Sequence, residues 1–224
     1  MIKAVFFDYG GTIMDLQSDK KAHDEIARLI IDKFKLKITP EELLKNFFEY
    51  EPVTEKWISA RKRFRNAVEK VINRKLTDEE VYLINFWYYR MHRLYCRIYE
   101  GVPDVLKFVK SKGFHLGIIS NIDDEFLFLE LDRHGILEFF DTIVTSEGFG
   151  ISKPDKRIFE EALRRAEVKP EEALYVGDME EYDMKPAKEM GFTTVMIGKG
   201  ESKYADYKVE KFQDLLPLFQ KLLQ

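Results

Sequence analysis

The 224-residue sequence predicts an α/β chain whose parallel sheet, covered by helices on both faces, is interrupted by an inserted all-helical domain. Three observations predict it. A short β-rich run, Ile2 to Phe7, ends in Asp8-Tyr9-Gly10-Gly11-Thr12, where two glycines break the strand into a tight loop. From about Ser18 to Cys96, helical signals follow one another with no strand signal among them. From Gly101 onward, short β runs alternate with helices, the pattern of a parallel sheet.

In the helical segment, Ser18 is placed to cap a helix running through Phe34. Thr39-Pro40-Glu41-Glu42 combines a cap, a proline at the first helical position and an acidic first turn. Thr54 is expected to open a third helix to about Arg74, and Thr77-Asp78-Glu79-Glu80 satisfies the capping-box pattern before a fourth to about Tyr95. In the second block, strands are expected at 114–120, 142–146, 173–177 and 193–197, separated by helices near 102–112, 126–134, 155–166 and 182–190. The first strand belongs with this block. The expected domains are therefore residues 1–15 with 97–224 as the α/β core, and residues 16–96 as a helical cap.

Composition narrows the function classes. A hydrophobic share of 45% beside 34% charged residues suits a folded globular chain. The net charge of −4 and pI near 5.7 argue against a nucleic-acid partner, which needs a basic footprint. Arg61, Lys62, Arg63 and Arg65 form one local basic cluster, read as a solvated helix face that could steer an anion. Cys96 is the only cysteine, so no intrachain disulfide forms; it reads as a packed thiol in a reducing compartment. No leader is expected ahead of the first strand, and no apolar run approaches the ~20 residues that span a bilayer. The expected address is the cytoplasm, without a membrane partner, as a monomer or homodimer.

The residues that terminate the strands carry the chemistry. Strand one ends at Asp8, the second at Ser120-Asn121, and the 173–177 strand runs into Asp178; Lys153 enters a helix in Ile151-Ser152-Lys153-Pro154. Parallel strands deliver these ends to one edge of the sheet, where ligands of open α/β sheets bind. Carboxylates, a hydroxyl, an amide and an ammonium so gathered suit a phosphate dianion held between Mg²⁺ and a lysine. Taken singly, Ser120 could be a helix cap, Lys153 a surface charge and Asp183 a helix N-terminal acid. Asp8 is harder to dismiss, because a carboxylate directly after Val5-Phe6-Phe7 is costly unless something positive meets it.

Phe6-Phe7-Asp8-Tyr9-Gly10-Gly11-Thr12-Ile13 resembles the first motif, D-x-D-G-T, of haloacid dehalogenase superfamily hydrolases. Leu116-Gly117-Ile118-Ile119-Ser120-Asn121 is similar to their second motif, Lys153-Pro154 to the third, and Val176-Gly177-Asp178 followed by Asp183 to the acidic fourth. The helical insert after motif one matches the family's first class of caps, and the resemblance covers nearly the whole chain. It implies a Rossmann-like core and a Mg²⁺-dependent phosphohydrolase acting on a small phosphorylated molecule. Asp8 is implied as the nucleophile that becomes aspartyl-phosphorylated. The implied metal ligands are the Asp8 carboxylate, the Gly10 carbonyl and Asp178, with Asp183 behind them or reaching the metal through water. Lys153 is implied to bridge Asp8 and the phosphoryl oxygens. Ser120 and the amides near Gly11 and Asn121 are implied to bind developing oxyanions, with Thr12 steadying the loop.

One departure matters. Gly10 stands where the family's general acid/base aspartate is expected, a group that typically contributes ~10²–10⁴-fold. Its carbonyl survives, so the metal site need not be lost. Three readings remain: a phosphatase with weakened or relocated acid/base chemistry; a 2-haloacid dehalogenase, in which Asp8 attacks carbon and halide leaves unprotonated; and an idle scaffold that binds a phosphorylated metabolite or a protein. Asp178 speaks against the dehalogenase, because those enzymes are metal-free, and retention of Asp8, Lys153, Ser120 and Asp178 speaks against the scaffold. Asp15 and Glu147 are candidate replacement acids. Trp57, Arg61, Trp87, Tyr88, Tyr89, Arg90 and His92 are candidates for a substrate-facing cap surface, although aromatics at helical spacing more often pack a core.

Overall fold

The computed structural model describes residues 1–49 and 58–223. Its contacts divide into two compact units, Met1–Asp15 with Ile98–Gln224, and Leu16–Arg97. The larger unit opens with β1 (Ala4–Phe7), buried at every residue. The chain then builds the helical unit from α1 (Leu16–Phe34), α2 (Pro40–Phe48), α3 (Ala60–Ile72) and α4 (Asp78–Tyr95). The larger unit resumes with α5 (Val102–Ser111), β2 (His115–Ser120), α6 (Asp124–Arg133), β3 (Thr142–Thr145), the single turn α7 (Ser146–Phe149) and α8 (Lys156–Ala166). It closes with β4 (Ala173–Gly177), α9 (Lys185–Met190), β5 (Thr193–Ile197), β6 (Tyr207–Val209) and α10 (Leu215–Leu222).

The six strands form one parallel sheet in the order β3-β2-β1-β4-β5-β6. The order reverses beside β1, so the crevice that a doubly wound sheet offers a ligand opens between the C-terminal ends of β1 and β4. Register fixes those ends level: Phe7 pairs with Ile118 on one side and Val176 on the other. Alternate side chains of β1 fill opposite faces. Phe6 meets Phe192 edge-on at 6.3 Å, in a cluster with Phe159, Tyr175 and Ile158; Phe7 stacks on Phe212 at 5.8 Å and meets Phe219 at 6.3 Å. Both faces are covered, as the unbroken apolar runs of the strands require.

The helical unit follows its caps. Thr39 and Thr77 each accept from the third helical amide, while Glu42 and Glu80 return the bond to the cap amide. Its core gathers Ile26, Phe47, Phe64 and Tyr88, with Phe47 and Phe64 stacked at 4.2 Å.

Some expectations shift. Ser18 lies inside α1 rather than capping it, and its hydroxyl accepts from Arg97 N at 2.9 Å. The described part of the third helix begins at Ala60 behind the cap Ser59; Thr54 lies outside the described residues. Strand β6 was not foreseen, because three residues with exposed Tyr207 and Lys208 carry no apolar run. The helix expected over 182–190 starts instead as a π-helical turn at Glu180–Met184, with Met184 N donating to Met179 O at 3.1 Å.

Candidate active site

Asp8 is the first residue beyond β1, yet its amide still donates to Val176 O at 2.9 Å, so the sheet ladder holds its backbone. The chain then turns sharply. Tyr9 O accepts from the amides of Thr12, Ile13 and Met14 at 3.3, 2.9 and 2.8 Å, and Gly11 N donates to Met14 O at 3.0 Å. Gly11 has a φ of +79°, and a Cβ there would collide with the Asp178 carboxylate. Glycine is thus needed twice over, for conformation and for close approach. Gly10 is different: its φ lies outside the left-handed region and a Cβ would meet open space.

Lys153 reaches the same point from the loop before α8. The residue is 2% exposed, and its ammonium donates to Asp8 Oδ1 at 2.8 Å, Asp183 Oδ1 at 2.6 Å and the Tyr175 hydroxyl at 3.1 Å. The loop is clamped by Asn121 beyond β2, whose side chain accepts from Lys153 N at 2.7 Å and donates to Lys153 O at 2.9 Å. Asp183 comes from the π-helical turn. One of its oxygens takes Lys153 and Tyr175, and the other accepts from Met179 N at 3.0 Å, which pins the loop carrying Asp178. Ser120, 3% exposed, ends β2 beside Asp8.

The electrostatics are lopsided. Carboxylate oxygens of Asp8, Asp178 and Asp183 lie within 4.8 Å of one another, and Lys153 brings one ammonium to them. Burial raises the pKa of Asp8, a push that Lys153 opposes and Asp183 reinforces. Burial and the neighbouring Asp8 and Asp183 push Asp178 up to about 8, and Asp178 Oδ1 is buried with no hydrogen-bond partner among the described residues. For Lys153, burial works against the charge, but Asp183 and Asp8 hold its pKa above the ordinary value. Lys153 is a fixed cation and not a proton donor. A cluster of hard oxygen ligands short of positive charge, with one lone pair unclaimed, fits a divalent ion such as Mg²⁺.

The structure thus brings Asp8, Gly10, Gly11, Ser120, Asn121, Lys153, Asp178 and Asp183 to one strand edge. It corrects one expectation, that of the loop amides. The amides of Gly11 and Thr12 are turned inward, onto Met14 O and Tyr9 O, and are not offered to an anion. Thr12 holds the turn by its amide, while its buried hydroxyl has no hydrogen-bond partner among the described residues. The oxygens of Asp183 are filled by protein donors, which makes it the anchor of Lys153. Glu147, a candidate acid, instead accepts from Asp124 N at 2.8 Å at the start of α6. Of the candidates on the insert, Tyr88 and His92 are buried in the helical unit's own core, Arg61 lies over the Tyr89 ring at 5.6 Å, and Trp57 lies outside the described residues. Sequence reasoning missed Tyr175. Its hydroxyl links Lys153, Asp183 and Ile119 O, and the available signal was a tyrosine inside an otherwise apolar buried strand, where the phenol needs a partner.

Comparison with known proteins gives a consistent picture. The profile described as haloacid dehalogenase-like hydrolase matches residues 5–197. The chain is 31% identical to a glyceraldehyde 3-phosphate phosphatase of Methanocaldococcus jannaschii, over 99% of both chains. It is 28% identical to a phosphoglycolate phosphatase of Aquifex aeolicus, over 97% of this chain and 96% of that one. Among solved structures, a 2-haloacid dehalogenase from Pseudomonas syringae pv. Tomato superposes with a TM-score of 0.74 at 26% identity, over 99% of this chain and all of the other.

Proposed function

The chain belongs to the haloacid dehalogenase-like hydrolases, and on that premise we propose that it removes the phosphate from a small phosphorylated metabolite through a covalent intermediate on Asp8. The observation that carries this reading is the Asp8 carboxylate, fixed to the end of the central strand, held at 2.8 Å by a buried lysine and faced by an under-compensated Asp178. Phosphatase names among full-length relatives support it, and they point to a substrate of two or three carbons such as glyceraldehyde 3-phosphate or phosphoglycolate.

In this chemistry a carboxylate oxygen of Asp8 attacks phosphorus as the bond to the leaving oxygen breaks, and water then attacks phosphorus of the aspartyl phosphate to release inorganic phosphate and Asp8. Lys153 pairs with Asp8 and with the incoming phosphoryl oxygens, so that two anions approach without repulsion, and Asp183 and Tyr175 keep its ammonium aimed there. Ser120 stands beside Asp8 to bond the equatorial oxygens. Asp8, Asp178 and the Gly10 carbonyl would hold Mg²⁺, which when bound supplies the missing positive charge and polarises the phosphoryl group. Gly10 offers no acid to the leaving oxygen. The helical unit acts as the cap that selects the substrate, and we place the enzyme in the cytoplasm as a monomer or homodimer without nucleic-acid partners. No helix among the described residues is long and apolar enough to cross a membrane.

Gly10 also favours a second reading, since halide leaves without a proton; the fold likeness to a dehalogenase is neutral between the two. A panel of phosphate esters beside 2-haloacids, with free phosphate and halide both measured, separates them. Phosphate release should vanish with chelator and return with Mg²⁺. Halide release, or full phosphate release in excess chelator, would overturn the proposal.

A further inference from the structure

Within the helical unit a second group of metal-ligating side chains meets, and the proposed phosphatase chemistry does not use it. Asp19 and His23 stand four residues apart on α1; His92 and Cys96 stand four apart where α4 ends. Residues at this spacing share a helix face, and α1 packs directly on α4. The two pairs therefore face each other.

The nitrogen–oxygen distances between the side chains are those of ligands, and His23 Nδ1 also lies 3.1 Å from Asp19 O, a hydrogen bond that ligation replaces. His92 Nε2 lies 3.4 Å from Asp19 Oδ1, His23 Nδ1 lies 3.3 Å from Asp19 Oδ2, and Cys96 Sγ lies 3.9 Å from Asp19 Oδ1. A ring nitrogen from each histidine and a carboxylate oxygen of Asp19 fall within 4.8 Å of one another. Ligands held about 2.0–2.1 Å from a tetrahedral ion sit roughly 3.3–3.4 Å apart. The His92 tautomer points the same way. Its Nδ1 lies 2.6 Å from Tyr88 O and donates to it, which in the neutral ring leaves the Nε2 lone pair facing a carboxylate oxygen. Ligating histidines characteristically commit their other nitrogen to a carbonyl in this way. Both histidines and Cys96 are buried, and Asp19, with 21% of its side chain exposed, gives solvent access.

We propose that Asp19, His23, His92 and Cys96 form a tetrahedral site for a borderline-soft divalent cation of the zinc type, clipping α1 to α4. Mixed nitrogen, sulfur and oxygen donors select such an ion over Mg²⁺, which keeps to oxygen. Charge also balances. Arg63 packs over the Phe47 ring at 4.6 Å near His23 and opposes a cation, but an aspartate and a thiolate together bring two negative charges to the dication. As the metal binds, the Cys96 thiol gives its proton to solvent, and the proton His23 Nδ1 directs at Asp19 O in the metal-free chain is displaced as well.

The test uses the full chain stripped of metal, with Co²⁺ as the probe, in the wild type and in Asp178→Asn, which weakens the catalytic metal site. Both should take up Co²⁺ with a thiolate-to-cobalt charge-transfer band and the intense visible bands of four-coordination, bleached by Zn²⁺ and not by Mg²⁺. Because Cys96 is the only cysteine, that band reports this site alone. Cys96→Ser should abolish the charge-transfer band, and His92→Gln should weaken Zn²⁺ by more than the ~10-fold that loss of an outer partner costs. A folded wild-type chain without the charge-transfer band overturns the site. So does Zn²⁺ affinity unchanged in Cys96→Ser, a variant conservative enough to decide the question if His92→Gln unfolds.

Discussion

Asp8→Asn removes the attacking oxygen but keeps the shape of the pocket and leaves Lys153 in place. Turnover should fall by on the order of 10³-fold or more, as it does when other covalent nucleophiles are lost, while inorganic phosphate still binds. Acid-quenched phosphoenzyme from the wild type should map to Asp8; near-normal turnover by the variant would exclude the covalent route. Gly10→Asp is the complementary gain. A Cβ there meets open space and the φ lies outside the left-handed region, so the backbone accepts a side chain at this position. Turnover of alkyl phosphates should rise ~10-fold or more, a fraction of the usual acid/base contribution, with little change for aryl phosphates, whose leaving groups need no proton. Equal rates for both ester types in both chains would show that another group already supplies the proton. Asp8 and Asp178 were legible in the sequence because charged residues at strand ends are conspicuous, and Lys153 because Lys153-Pro154 at a helix entry resembles the family's third motif. Tyr175 was not, since a mid-strand tyrosine looks like packing until its hydroxyl is seen between Lys153 and Asp183. The inward turn of the Gly11 and Thr12 amides was equally invisible, because backbone hydrogen bonds leave no mark on residue identity.

At the scale of elements, the join between α3 and α4 depends on Glu69. It accepts from Lys75 Nζ at 2.7 Å, Leu76 N at 3.1 Å and Arg65 Nε at 3.1 Å. The Lys75 hydrogen bond first, then the Leu76 amide and Arg65, outweigh burial and bring its pKa to about 2 from an ordinary 4.5. A depressed acid stabilises the fold above its unfolded pKa and loses that contribution as pH falls towards the folded value. The stability of the helical unit, followed by circular dichroism, should therefore fall as pH drops from about 4.5 to about 2, and Glu69→Gln should flatten that dependence. An unchanged acid limb in the variant would remove Glu69 from the account. Elements bounded by threonine caps were readable at both Thr39 and Thr77. The π-helical turn at Glu180–Met184 and the three-residue β6 were not: one differs from an α-helix by a single residue of hydrogen-bond register, and the other lacks alternation long enough to count.

For the molecule as a whole, the crowded carboxylates trade stability for chemistry. An acid whose folded pKa is raised favours the fold below its unfolded pKa and loses that favour as pH rises through the folded one. The metal-free protein should accordingly become less stable between the ordinary 3.8 of Asp178 and about 8. Mg²⁺ at ~100 times its dissociation constant should restore about 2.7 kcal/mol, read as a rise in melting temperature of roughly 5–10 °C for a chain of this size. Asp178→Asn should melt higher than the metal-free wild type at alkaline pH and show no Mg²⁺-dependent rise. A variant that still responds to Mg²⁺ would move the ion elsewhere. The parallel sheet was foreseeable from strand-helix alternation; the order that places β1 between β2 and β4 depends on long-range pairing that no local pattern encodes.

Met14 bridges Ile98, and Tyr99 N donates to Ile13 O at 2.9 Å, so the chain leaves the α/β unit and returns to it through one narrow neck. The two severed ends are already neighbours. Heredity can therefore exchange everything between them, lengthening it, shortening it or replacing it from another gene, without asking the hydrolytic machinery to be reinvented. A lineage with such a doorway diversifies its diet by changing one room while the rest of the house stands.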